Sequence, residues 1–256
     1  MSDTVWRVLL IVLAAVFGLV LLGFLFLFLC TVFVRPDREQ EKSSSFYRFL
    51  LYRAVWVAVR FSRIRLQVEG REKIDELAAS GQRFLLVGNH ISNYDPIVTW
   101  YAFPEAELAF ISKPENFSIP FFGKIARKCL CLPIDRGDAR KALPTIEQAA
   151  EYIREDKVSF GAYPEGTRNK KPEEGLMKFR CGVFKISEWA DHVPIVILAV
   201  ENTHRTARNF PFKATPVTLS VLRVLKREEL EGLSTVQIGA IVAEELKKKL
   251  YPDTVL

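Results

Sequence analysis

The strongest constraint on the fold is an uncharged apolar run near the N-terminus, from Val8 to Val34. On a helix that rises about 1.5 Å per residue, this run reaches about 40 Å, which exceeds the ~30 Å hydrocarbon thickness of a bilayer. A cleaved signal peptide is the alternative. The run is too long for one, no A-x-A site follows it, and the positive charge lies mainly on its C-terminal side. The sequence therefore predicts a retained transmembrane helix within residues 1–34.

The net charge of +6 is concentrated directly after this run. Residues 35–65 hold eight basic residues against three acidic ones, whereas the chain from residue 66 onward is nearly neutral. The basic residues are Arg35, Arg38, Lys42, Arg48, Arg53, Arg60, Arg63 and Arg65. A basic segment beside a membrane helix indicates an anionic membrane surface as partner and not nucleic acid, and the positive-inside rule places the rest of the chain on the cytoplasmic face.

Residues 46–61 predict an amphipathic helix at the membrane interface. At about 100° per residue, four arginines fall within a sector of about 140°, and most other positions are apolar or aromatic. The four arginines are Arg48, Arg53, Arg60 and Arg63. Such an edge is typical of an interfacial or re-entrant helix, and the alternative is a core helix of the following domain. The expected organisation is a transmembrane anchor at 1–34, a basic amphipathic interface segment at 35–65 and one domain at 66–256.

The region from residue 66 alternates short apolar runs with helical patterns. Seven runs are typical of strands, at 66–68, 84–87, 108–111, 130–134, 158–163, 195–200 and 217–225. Helices are expected from Pro96, over 142–155, over 183–190 and over 235–250, the last with Ser234 and Gln237 as a capping box. This alternation predicts an α/β fold with a largely parallel sheet flanked by helices. In such folds, chemistry lies at the carboxyl ends of the strands.

One of these strand ends carries a histidine and an aspartate five residues apart. His90 follows the run at 84–87, and Pro96 disfavours helical geometry at Asp95. A turn through residues 91–94 can therefore bring the Asp95 carboxylate onto the imidazole. A carboxylate at Nδ1 fixes the tautomer and leaves Nε2 free as a general base. The alternative for Asp95 is a plain helix N-cap.

Two other strand ends carry cations. The loop YPEGTRNKK at 163–171 combines Gly166, a hydroxyl and Arg168, which are typical of an anion-binding loop, and Arg136 follows the run at 130–134. Solvated surface charge is the alternative for each. Two arginines on an edge that also presents His90 indicate a phosphate held beside a base. The sequence has no G-x-S-x-G elbow and no P-loop, and its four scattered cysteines predict no metal site.

In these residues the chain resembles the 1-acyl-sn-glycerol-3-phosphate acyltransferase family, within the wider glycerolipid acyltransferase group. The family's N-H-x-S-x-x-D block is NHISNYD at 89–95, and its E-G-T-R block stands complete at 165–168. An arginine block lies at 132–136, and the fourth block lies at 193–200, where Ile197 replaces a common second proline. The stretch between the first two blocks is also similar to the family's, and has Lys113, Pro120 and Gly123 in place.

The resemblance implies the reaction and its residues. His90 would deprotonate the sn-2 hydroxyl of 1-acyl-glycerol 3-phosphate, the oxygen would attack the thioester of acyl-CoA or acyl-carrier protein, and Asp95 would steady the imidazolium. The product would be phosphatidic acid. The resemblance assigns the glycerol phosphate to Arg136, Glu165, Gly166, Thr167 and Arg168, with Lys113 as a lesser candidate. It implies no metal or redox cofactor, and a membrane enzyme that is single-pass or monotopic.

Three alternatives stay open at this level. The first is an acyltransferase with another acceptor, such as glycerol 3-phosphate, another lysolipid or an ornithine lipid precursor. The second is an acyl thioester hydrolase that uses water at the same His–Asp pair. The third is a non-catalytic lipid-binding protein on the same fold.

Overall fold

The computed structural model describes residues 3–35, 40 and 42–252. Part of the basic segment, including Arg38, therefore lies outside the described residues. The α-helices of the described part are α1 (Asp3–Val32), α2 (Ser45–Phe61), α3 (Glu72–Ala79), α4 (Tyr94–Ala102), α5 (Phe122–Lys128), α6 (Ala139–Arg154), α7 (Lys185–Trp189), α8 (Thr206–Asn209), α9 (Arg227–Leu230) and α10 (Thr235–Leu250). The strands are β1 (Ile64–Glu69), β2 (Leu85–Gly88), β3 (Ala109–Ser112), β4 (Leu132–Pro133), β5 (Phe160–Ala162), β6 (Ile195–Glu201) and β7 (Thr215–Leu225).

These strands form one sheet in the order β1-β7-β6-β2-β5-β3-β4. Neighbours are parallel except for β6 and β7, which run antiparallel. Every residue of β2 is buried, as is every residue of β6 before Glu201. Strands covered on both faces need such continuous apolar runs, which is why the sequence pattern located them. The predicted α/β fold with a largely parallel sheet is confirmed.

The strand expected at 130–134 is shorter than predicted. Helix α5 runs to Lys128, and Leu130 takes a left-handed φ of 64°, so extended backbone begins only at Leu132. The capping box at the start of α10 is confirmed, because the Ser234 hydroxyl accepts from the Gln237 amide and the Gln237 side chain accepts from the Ser234 amide. The pattern missed α3 and α5, which have 8 and 7 residues and are too short to show a clear helical period.

Helix α1 is long and apolar enough to cross a membrane by its length and composition, and it indicates a membrane-associated protein. Its side chains are almost all exposed, but its C-terminal end is tied to the rest of the protein. The Tyr47 hydroxyl on α2 donates to the carbonyl of Cys30 (2.6 Å), and Lys124 Nζ on α5 donates to the carbonyl of Thr31 (2.9 Å). The C-terminal end of α1 therefore lies beside α2 and α5.

Helix α2 differs from the predicted interfacial helix in one respect. It packs against α4 and α5, and the side chain of Arg48 is buried there along with an apolar stripe. The stripe is Leu50, Leu51, Val55 and Val59. The Arg48 guanidinium donates to the carbonyls of Leu108 (3.2 Å) and Cys129 (3.4 Å). Placing Arg48 on a membrane-facing edge was therefore wrong, because its guanidinium is buried and donates to carbonyls inside the domain. Arg53 and Arg60 do remain exposed.

Replacing Arg48 with methionine should destabilise the protein by about 2–4 kcal/mol, because the buried Cys129 carbonyl loses the guanidinium donor and the Leu108 carbonyl keeps only Trp100 Nε1. The measurement is the thermal unfolding midpoint of the full chain in detergent. Arg53→Met on the exposed face of the same helix is the matched control, and its midpoint should stay close to that of the wild type. Equal midpoints for the two variants would show that the buried guanidinium is not needed for stability.

Candidate active site

His90 and Asp95 form a buried pair just after β2. The imidazole Nδ1 lies 2.8 Å from Asp95 Oδ2, and the aspartate is completely buried. The imidazole is 10% exposed and borders a cavity of about 450 Å³. With Nδ1 engaged by the carboxylate, Nε2 is the nitrogen left for chemistry.

The end of β2 is held tightly against β6. The Asn89 side chain donates to the carbonyl of Val200 and accepts from its amide, both at 2.8 Å. A Cβ at Gly88 would lie 2.4 Å from the Leu198 carbonyl oxygen, so only glycine allows the strands to approach this closely. Gly88 and Asn89 are thus held against β6. Their fixed positions set the direction in which the chain leaves the sheet at His90.

The turn after His90 is built around the Asp95 carboxylate. Oδ2 accepts from the backbone amides of Ile91 (2.7 Å) and Ser92 (2.8 Å) as well as from the imidazole. Helix α4 consequently begins at Tyr94, two residues before the predicted start at Pro96. Asp95 lies inside the first turn of α4 and is not its N-cap, so this alternative interpretation is wrong. The carboxylate both closes the turn and holds the His90 imidazole.

Thr203 completes the coordination of this carboxylate. Its hydroxyl donates to Asp95 Oδ1 at 2.5 Å from a 3-10 turn at Thr203–Arg205, and its side chain is completely buried. Sequence reasoning missed this residue, which lies 108 positions from Asp95. The available signal was its place just after β6, at the carboxyl edge that also presents His90.

Glu165 holds the backbone of His90. Its carboxylate accepts from the His90 amide (2.7 Å) and from the Met177 amide (3.2 Å), and the residue is 2% exposed. Burial raises the pKa of Glu165, and the two amide hydrogen bonds oppose that rise. The Asn169 amide also donates to the His90 carbonyl at 2.7 Å. The 163–171 loop therefore fixes both backbone groups of His90.

Tyr163 stacks on the imidazole ring of His90. Its ring centroid lies 4.3 Å from that of His90 with an interplanar angle of 10°, and Phe110 stacks on its other side at 5.9 Å. Burial raises the pKa of the Tyr163 hydroxyl well above its ordinary value, so the ring stays neutral. The stack limits rotation of the imidazole. Sequence reasoning treated this tyrosine only as part of the loop.

The predicted cationic residues meet at the same cavity. Lys113, Arg136, Thr167 and Arg168 line its wall together with His90. Arg136 Nη1 donates to the Gly166 carbonyl at 2.8 Å, which joins the two predicted loops. Gly166 has a φ of 69°, and a Cβ there would lie 2.7 Å from the Arg180 side chain. The remaining wall is mostly apolar, with Asn93, Ser112 and Asn116 as polar members, and its apolar residues include Ile97, Trp100, Phe110, Ile111, Phe117, Ile119 and Phe122.

A family model for acyltransferases matches residues 65–201, which is more than half of the chain. The chain belongs to the acyltransferase family. The match includes every site residue described above except Thr203, which lies two positions beyond it. The resemblance stated from the sequence blocks is confirmed at the level of the family.

This acyltransferase is also similar to individual proteins. It is 33% identical to the 1-acyl-sn-glycerol-3-phosphate acyltransferase of Haemophilus influenzae over 59% of this chain and 60% of that protein. It is 33% identical to the enzyme of that name from Escherichia coli over 54% of each. The chain thus matches little more than half the length of these relatives. The crystal structure of the 1-acyl-sn-glycerophosphate acyltransferase of Thermotoga maritima gives a TM-score of 0.65 at 20% identity, covering 90% of this chain and 88% of that one. At that identity the likeness supports the fold.

Replacing Thr203 with valine should lower kcat of the acyltransferase about tenfold with little change in KM. The reason is that the Asp95 carboxylate loses the hydrogen bond that the Thr203 hydroxyl donates to Oδ1. Thr203→Ser keeps the donor and should restore most of the activity. A structural role alone would instead lower the unfolding midpoint of both variants and leave the kcat of the folded fraction unchanged. Steady-state kinetics with the unfolding midpoint of each variant separates these outcomes.

Proposed function

We propose that this acyltransferase transfers a fatty acyl group from an acyl thioester to the sn-2 hydroxyl of 1-acyl-glycerol 3-phosphate and forms phosphatidic acid. The observation that carries the proposal is one cavity lined by His90, which contacts Asp95, by the cations Lys113, Arg136 and Arg168, and by apolar side chains. An acceptor that combines a hydroxyl, a phosphate and an alkyl chain matches all three features of that cavity. The names of the relatives support the same substrate.

In the proposed reaction, His90 Nε2 removes the proton of the acceptor hydroxyl as its oxygen attacks the thioester carbonyl. The new C–O bond forms, the C–S bond breaks, and the thiolate leaves and takes the proton from the imidazolium. Asp95 stabilises the imidazolium between these two transfers. No side chain of the protein has to form a covalent bond with the acyl group.

The phosphate is assigned to the cations at the cavity mouth. Arg136 is held in place by the Gly166 carbonyl, and Arg168 extends from the same loop on the exposed side. A guanidinium grips a phosphate through two parallel hydrogen bonds, and the backbone of Gly166 and Thr167 allows close approach. Lys113 adds a further positive charge to the lining of the same cavity.

Glu165 is assigned a positioning role in place of the phosphate contact that the resemblance suggested. Both of its carboxylate oxygens already accept from backbone amides, and a buried carboxylate would repel a phosphate. Glu165 contributes by holding the backbone amide of His90 in place. Thr167 and Gly166 stay as proposed phosphate ligands.

Arg168→Ala should raise KM for the lysophospholipid about 10–100-fold and change kcat less, since it removes a charge-assisted hydrogen bond to the substrate. Lys170→Ala, an exposed cation of the same loop that does not line the cavity, is the matched control. A similar rise in KM for both variants would mean that the loop acts through its overall charge and not through a phosphate ligand at Arg168.

We further propose that the protein binds the membrane through α1 and the exposed face of α2, with the active site at headgroup depth on the cytoplasmic side. That face carries Phe49, Trp56 and Phe61, which are 49–69% exposed, beside Arg53 and Arg60. Aromatic rings with long basic side chains suit the boundary between headgroups and acyl chains. The arrangement presents the acceptor hydroxyl to His90 without extracting the lipid tail into water.

The deciding experiment supplies radiolabelled acyl-CoA and 1-acyl-glycerol 3-phosphate to the full chain in detergent. Labelled phosphatidic acid supports the proposal. Thioester loss that is independent of acceptor would support the hydrolase in its place. Product with glycerol 3-phosphate or another lysolipid, and none with 1-acyl-glycerol 3-phosphate, would change the acceptor. Parallel reactions with acyl-carrier protein show which donor the protein uses.

A further inference from the structure

A second patch of exposed aromatic and basic side chains lies beyond the end of α2. It is formed by the segment Arg208–Lys213, with the sequence RNFPFK, which follows the start of α8 and leads into β7. The Phe212 side chain is 89% exposed. An exposed aromatic ring at a loop tip carries a hydration cost that a membrane or a partner would remove.

This segment is fixed to α2 and to β1. The Phe210 ring packs on the ring of Phe61, the last residue of α2, with centroids 5.0 Å apart. The Arg63 guanidinium donates to the carbonyl of Pro211 at 3.4 Å, and the Thr215 amide donates to the carbonyl of Arg63 at 3.1 Å. The Arg208–Lys213 segment therefore continues the exposed aromatic face of α2.

The two chain segments that form this surface carry charge of one sign. The sequence holds no acidic residue from Lys42 to Val68, and none from Asn202 to Arg227. Five basic side chains are exposed along the surface, namely Arg53, Arg60, Arg63, Arg208 and Lys213. Aromatic rings flanked by cations and free of acidic residues complement an anionic bilayer, where rings enter the interface and the basic groups reach the phosphates.

We infer that Arg208–Lys213 is a second membrane-contact element, with Phe212 as its inserted side chain and an anionic phospholipid surface as its partner. The inference rests on the membrane orientation proposed above for α2. The segment lies at the C-terminal end of α2, whereas α1 ends beside the N-terminal part of α2. The domain would therefore contact the bilayer at both ends of α2. The segment starts five residues after Thr203, which binds Asp95, so this contact also borders the catalytic network.

The test places an environment-sensitive nitrobenzoxadiazole label at Phe212→Cys in the full chain, with Cys30 and Cys181 replaced by serine. Cys129 and Cys131 are buried and stay. Reference labels are Phe49→Cys on α2 and Val236→Cys on α10, which packs against β6 and β7. Both native side chains are exposed, at 52% and 66%. Each labelled protein is reconstituted into vesicles of phosphatidylcholine and phosphatidylglycerol, and retained acyl transfer in detergent verifies the fold.

We expect blue-shifted emission and quenching by brominated lipid for the labels at 212 and 49, and neither effect at 236. Arg208→Gln and Lys213→Gln should each weaken the quenching at 212 about fivefold in anionic vesicles, the factor equivalent to about 1 kcal/mol per basic residue. A signal at 49 without one at 212 would overturn this inference and leave the orientation of α2 standing. No blue shift and no quenching at either 49 or 212 would overturn both this inference and the proposed membrane orientation of α2. A signal at 212 that is independent of anionic lipid would overturn the electrostatic part.

Discussion

Replacing His90 with alanine should lower kcat for acyl transfer by about 10²–10⁴-fold, the usual contribution of a positioned general base. The imidazole is the titratable group that Asp95 orients into the cavity, and the stacked ring of Tyr163 leaves it a single orientation. Without it, the acceptor hydroxyl has no partner to take its proton during attack. KM for the lysophospholipid should change little, because the proposed phosphate ligands Arg136 and Arg168 are untouched.

The measurement is formation of radiolabelled phosphatidic acid over enzyme concentrations that span the expected loss. His192→Asn is the matched control, since His192 precedes β6 at the opposite edge of the sheet and its left-handed φ of 55° is tolerated by asparagine. Its activity should equal that of the wild type. Activity of His90→Ala above about a tenth of the wild-type value, with the control unchanged, would remove His90 from the proposed chemistry.

The parts of this protein that could be predicted from the sequence are those encoded over a short stretch of chain. The strands follow from continuous apolar runs, and the helix at 235–250 follows from its period and its capping box. The His90–Asp95 pair was accessible because six consecutive residues contain the base, the turn and the carboxylate. Even there the turn was only approximately right, because the amides of Ile91 and Ser92 bind the carboxylate and α4 starts earlier.

The parts that could not be predicted depend on contacts between distant segments. Nothing near Thr203 in the sequence shows that its hydroxyl meets Asp95, and nothing near Arg48 shows that the carbonyls just before β3 and just after α5 accept from it. Periodicity groups Arg48 with Arg53 and Arg60 but does not show that the domain buries Arg48 and leaves the other two exposed. Glu165 illustrates the same limit, since its role is set by two amides on other segments.

Asp95→Asn tests how the pair works and should lower kcat by about 10²–10⁴-fold, in line with loss of the aspartate from a base–carboxylate pair. The amide is nearly the same size and can keep one oxygen toward the amides of Ile91 and Ser92, while Thr203 can turn its hydroxyl to accept from the new NH₂ group. The turn is thereby retained. What is lost is the negative charge that stabilises the imidazolium after proton transfer.

The kinetic pattern of Asp95→Asn separates electrostatics from architecture. If charge is the main contribution, kcat falls, KM stays near its wild-type value, and the loss greatly exceeds the tenfold loss expected for Thr203→Val, which keeps the carboxylate charged. If the carboxylate serves mainly to close the turn, Asp95→Asn should keep activity within tenfold of the wild type, whereas Asp95→Ala should lose both activity and thermal stability. Comparing kcat, KM and unfolding midpoint for these three variants decides whether the carboxylate at Nδ1 is part of the chemistry or part of the scaffold that holds His90.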